Sequence, residues 1–138
     1  MNPKVFQMKL SGVCFSILLL ILLGCNSAEV PSEVSGMVFL GSEPLAEGNI
    51  IFESLDNSKA PGAGVIKGGR YTVQVLPGSK KVKIQASKPG AKIDPVMKSA
   101  IPESILGPEY NEKTTLKADI KPGKNEKVDF QVKQIGMK

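Results

Sequence analysis

The sequence predicts an all-β domain, a seven-stranded β-sandwich, behind a cleavable N-terminal signal peptide. Three observations carry that expectation. Short runs alternate apolar and polar residues at a period of two, the spacing of a strand with one dry face and one wet face. Turn residues punctuate the runs, and the chain holds 14 glycines and 10 prolines. No apolar periodicity of about 3.6 runs through residues 26–138, so little helix is expected there. A length of 138 residues fits one domain.

Residues 1–24 read as the signal peptide. Lys4 and Lys9 give a positive start, Val13 to Leu23 is an almost unbroken apolar run, and Gly24-Cys25 follows. A secretory signal has this layout, with an apolar stretch of about 7–15 residues and a small residue at the cut. The run falls short of the roughly 20 apolar residues that a spanning helix needs. Leu22-Leu23-Gly24-Cys25 resembles a bacterial lipobox. A thiol is needed to take a diacylglyceryl thioether, and a small residue before it lets the peptidase approach. The resemblance implies cleavage between Gly24 and Cys25 and lipidation of Cys25. An uncleaved anchor, or an ordinary signal cut elsewhere, is the alternative. Cys14 lies inside the apolar run and leaves with it, so Cys25 keeps no disulfide partner. Residues 25–33 then form the lipidated cysteine and a short polar tether, and residues 34–138 form the domain.

The expected strands follow in order. Val34 to Leu40 puts Val38 and Leu40 on one face, and the turn Gly41-Ser42-Glu43-Pro44 leads to an inward Leu45. Asn49 to Leu55 puts Ile50 and Phe52 together, and a polar loop covers Asp56 to Gly62. Ala63 to Lys67 and Arg70 to Leu76 flank Gly68-Gly69, which suits a two-residue hairpin turn because glycine tolerates positive φ. Lys80 to Ser87, Thr114 to Lys121 and Lys127 to Lys133 alternate most cleanly. Between them, Lys88 to Lys113 carries Pro89, Pro95, Pro102 and Pro108 and reads as a long loop with one helical turn between Met97 and Leu106.

Val34-Ser35-Gly36-Met37-Val38, then Glu43-Pro44-Leu45, then Gly48-Asn49-Ile50-Ile51-Phe52 resemble the opening of carboxypeptidase-regulatory-like domains. Gly69-Arg70-Tyr71 and Pro77-Gly78 before Lys81-Val82-Lys83-Ile84 resemble later segments of the same family. Pro108-Glu109-Tyr110-Asn111, ahead of Thr114-Thr115-Leu116, is similar to a stretch of small bacterial lipoproteins with this domain. The resemblance spans residues 34–133. It implies a transthyretin-like (prealbumin-like) sandwich and supplies no activity, since fold alone does not assign function.

Composition narrows the chemistry. The chain has no histidine, which excludes a Ser-His-Asp triad, a Cys-His pair and a histidine metal site. Net charge is +5, and without Lys4 and Lys9 it is +3, with a single arginine, Arg70. Nucleic-acid binding, which calls for clustered Lys and Arg with aromatics between them, is not expected. No cofactor or metal is expected. Asp56, Asn57 and Ser58 read as a turn rather than a calcium cage. Gly62-Ala63-Gly64 reads as a strand bend rather than a phosphate loop. Lys81, Lys83, Lys117, Lys121, Lys127 and Lys133 read as solvated faces. Tyr110 and Asn111 are the candidate ligand contacts, for a saccharide or peptide, set against a structural role at one end of the sandwich. The expected protein is a non-catalytic lipoprotein at the cell envelope, held to a membrane outside the cytoplasm. Docking onto another envelope protein is the alternative, through an apolar patch around Ile93, Val96, Met97 and Ile105. An enzyme using Glu103 and Glu109 is the least favoured reading.

Overall fold

The computed structural model describes residues 29–136; Gly24, Cys25 and the expected signal peptide lie outside them. Alternation at period two becomes strand in each of the seven places expected. β1 (Ser32–Leu40) is followed by the two-residue β2 (Glu43–Pro44) and by β3 (Glu47–Ser54). β4 (Gly62–Lys67) and β5 (Arg70–Val75) form a hairpin. Its turn residues Gly68 and Gly69 have φ of 55° and 78°, the left-handed values that this turn requires. β6 (Gly78–Gln85), β7 (Ser87–Ile93) and β8 (Ala100–Ser104) come next. A 3-10 turn, Pro108–Tyr110, precedes β9 (Lys117–Ile120), β10 (Lys124–Asn125) and β11 (Phe130–Val132).

Hydrogen bonds join most strands into one path, β10-β1-β5-β4-β3-β6-β9, with β2 and β11 also pairing with β1. The pairs are antiparallel except where β10 and β11 run parallel to β1. Pro77-Gly78 and Pro122-Gly123 do turn the chain, but neither closes a hairpin. The first carries it from β5 to β6, which pairs with β3, and the second from β9 to β10, which pairs with β1.

The sheet curls over its dry face. Phe52 on β3 lies 6.3 Å, ring centre to ring centre, from Phe130 on β11, although the hydrogen-bonded path separates their strands by β4, β5 and β1. Tyr71 on β5 packs on the same ring at 6.1 Å. Around these rings Val34, Val38, Ile50, Ile66, Val75, Val82, Ile84 and Val132 are buried. Leu45 is buried too, as the turn before it implied.

The segment 88–113 departs from expectation. It is not a loop with a helical turn between Met97 and Leu106. β7 and β8 pair there as a separate two-stranded hairpin, and the only helix among the described residues is the 3-10 turn. Proline removes a ladder donor and is tolerated at sheet edges. Both strands of an isolated hairpin are edges, and Pro89 stands opposite Pro102.

The two ends of the sheet are distinct. Ser32 on β1 faces Val75, and Ser54 on β3 faces Lys80, so the start of β1 shares one end with the β3–β4 loop and the β5–β6 turn. Glu47 and Lys67 face each other, and Asn49 faces Gln85, at the opposite end, from which the β7–β8 hairpin emerges.

Candidate functional site

An open cleft of about 620 Å³ lies at that far end. Strand pairing builds its floor. Asn49, Val65 and Lys67 point away from the core because Ile50 and Ile66, one residue off in the alternation, point into it. Gln85 stands directly across from Asn49. Ser87, Pro102 and Ser104 of the hairpin form one wall, and Asn111, just past the 3-10 turn, forms another. Gln85 Nε2 donates to Asn111 Oδ1 at 3.0 Å, which ties that wall to the floor. The Asn111 backbone is pinned in turn, since its N–H donates to the Pro108 carbonyl at 3.1 Å.

Asn49, Gln85 and Asn111 thus bring three side-chain amides to one surface, each with both donors and an acceptor. Val65 and Pro102 add apolar area, and Glu47 and Lys67 add opposite charges. Such a lining can hydrogen-bond hydroxyls or peptide groups. It offers no nucleophile paired with a base.

The two sequence candidates therefore meet different surroundings. Asn111 lines the cleft, whereas Tyr110 is half-buried and packs against the core. Gln85 and Asn49 are not singled out as contacts by the sequence, since both fall on the outward phase of their strands, where polar residues are ordinary.

The other candidates occupy ordinary structural places. Asp56 Oδ1 accepts from the Ser58 hydroxyl at 2.7 Å and the Ser58 N–H at 3.0 Å, a closed turn; these bonds, the hydroxyl first, lower the pKa of the Asp56 carboxyl. Among the described residues no group of three or more His, Cys, Asp or Glu side chains is placed to hold a metal. Lys83 pairs with Glu53 at 2.8 Å, and Lys117, Lys121, Lys127 and Lys133 are exposed. Glu103 lies on β8 and Glu109 in the 3-10 turn.

The β7–β8 hairpin carries its apolar residues outward. Val96 is 87% exposed and Met97 78%, and Ile93 is also exposed, while Ile105 packs against the core. Asp94 Oδ1 accepts from the backbone N–H groups of Val96 and Met97, both at 2.8 Å, and so fixes the tip. Those two bonds, Met97 first, hold the Asp94 carboxyl below its ordinary pKa.

Fold and cleft together define an all-β domain with a polar, amide-lined hollow at one end. Comparison with family models, with curated proteins and with solved structures finds no match to this chain.

Proposed function

We propose that the protein is a non-catalytic lipoprotein of the cell envelope, lipidated on Cys25, whose transthyretin-like β-sandwich displays a binding cleft outside the cytoplasm. The observation that carries this reading is Gly24-Cys25 at the end of the apolar run Val13 to Leu23. Lipid on that cysteine would be decisive for location, because each buried methylene contributes about 0.8 kcal/mol and two or more chains hold a protein almost permanently. The amide-lined cleft supports a binding role, with a saccharide or peptide as the chemical class. The test is metabolic labelling with palmitate. Wild type should incorporate label and be shortened. Cys25→Ser should stay full-length and unlabelled, and normal labelling of that variant would refute the anchor.

A second reading, docking onto another envelope protein, is favoured by the exposed hairpin tip. Apolar side chains held outward by a fixed turn suit a partner surface. A photo-crosslinking residue in place of Met97 should yield one stoichiometric adduct in membranes, and the same residue in place of exposed Thr72 should not. Equal yields at the two positions would remove this reading.

A further inference from the structure

We propose that the pocket at the tether end of the sheet, into which Lys80 and Lys59 project, binds a phosphate-class oxyanion, either a lipid headgroup phosphate or free inorganic phosphate. The headgroup source rests on the lipid-anchor reading above, and the site itself does not.

The pocket, of about 300 Å³, lies between the β3–β4 loop and the β5–β6 turn. Lys80 shares the inward phase of Val82 and Ile84, and it is 1% exposed. Its one hydrogen bond among the described residues joins Nζ to Ser54 Oγ at 2.9 Å. An ammonium has three donors, and a buried cation without a counter-charge is costly. Among the described residues no carboxylate bonds it directly; Glu29 and Asp56 act on it only through space. Asp56 is occupied by Ser58, and Glu29 bonds Lys59 at 2.6 Å.

What is missing is an anion, and the donors for one are in place. Lys59 Nζ, on the opposite wall, also reaches the Pro77 carbonyl at 3.2 Å, and its positive charge bears on Lys80. Ser54 Oγ accepts from Lys80, which leaves its own hydroxyl proton free to donate. Two ammonium groups and a hydroxyl converging on one pocket suit a tetrahedral oxyanion, for which lysine is a recurrent partner.

Position favours a headgroup. Glu29, bound to Lys59, is four residues from Cys25, a span of at most about 14 Å when fully extended. A lipidated Cys25 would hold the pocket close to the phosphate layer of its own bilayer.

The test uses the full chain as processed in cells, purified in dodecyl maltoside, a phosphate-free detergent. Thermal unfolding is followed against inorganic phosphate, against sodium chloride of equal ionic strength, and against mixed micelles containing phosphatidylglycerol. Phosphate or phosphatidylglycerol should raise the midpoint beyond chloride. Lys80→Met should abolish the rise, and Lys59→Gln should weaken apparent binding about tenfold, as for loss of one charge-assisted hydrogen bond. Lys98→Gln at the hairpin tip should leave it unchanged. A response to inorganic phosphate identifies the free ion as sufficient, and a response to phosphatidylglycerol alone identifies the headgroup as source; either supports the site. No response to either, or a rise that persists in Lys80→Met, overturns it. Should Lys80→Met fail to fold, Lys59→Gln decides alone. Because the phosphate arm needs no lipid, its outcome is independent of whether palmitate labels Cys25.

Discussion

Lys80 sits among residues of its own strand face that are all apolar, and its titration should be visible in stability. Burial, and then the like charge of Lys59, lower its pKa below the ordinary 10.5. Between that lowered value and 10.5 the unfolded chain binds more protons than the folded one, so stability rises with pH across the window. Tyr71 works the other way. Burial first, and the Asp129 carboxylate second, push its phenol above the ordinary 10.0. Above pH 10 the unfolded chain loses the phenolic proton first, so stability falls as pH climbs further. Urea unfolding from pH 8 to 11 should therefore show a rise that Lys80→Met flattens and a decline that Tyr71→Phe flattens. The Tyr71 hydroxyl also donates to the Val128 carbonyl, so Tyr71→Phe should cost about 1 kcal/mol at neutral pH. If both variants keep the wild-type profile, the assignment of these two groups fails.

Individual strands depend on close approach as much as on alternation. Gly36 on β1 passes so near the Val128 carbonyl that an added Cβ would overlap it. The neighbouring Ser35 carbonyl accepts from the Val128 N–H at 3.1 Å, and Asp129 Oδ1 accepts from the Met37 N–H at 2.7 Å. Gly36→Ala should push the segment ahead of β11 off β1 and cost about 1–3 kcal/mol, the range for overpacking. Hydrogen exchange should then speed up in residues 128–132, and an unchanged pattern would refute the argument. Alternation made most of the strands legible in the sequence. Val82, Ile84 and Ala86 announced β6, and the same phase, extended two residues back, would have placed Lys80 inside. A lysine at that position reads as a surface residue, because its charge is ordinarily kept in water. The β7–β8 hairpin is illegible for a different reason: three prolines, Pro89, Pro95 and Pro102, mask a strand pattern unless it is known that both strands lie outside the main sheet.

Across the whole molecule, stability concentrates where the curled sheet meets itself. Phe52 touches rings from β5 and β11, so it joins strands that share no ladder. Phe52→Ala should destabilise by about 3–5 kcal/mol, near the upper end for core truncations, as measured by denaturant midpoint. A loss below about 1 kcal/mol would mean that the curl is not held there. The set of buried residues could be read from local sequence, but the strand order could not, because pairing partners far apart leave no local mark. The cleft shows the same limit. Asn111 stood out beside Tyr110, yet its partners Asn49 and Gln85 come from two other strands and look like ordinary outward positions.

The parallel pairing of β11 with β1 also sets the order of events during synthesis. Val38 pairs with Phe130, and the hydrogen bond from Met37 to Asp129 spans 92 residues. The first strand made therefore keeps an unpaired edge until nearly the whole domain has emerged. Contacts so distant in sequence slow folding, because loop closure must precede any gain from pairing. The last residues of β11 are then the latch that ends the delay.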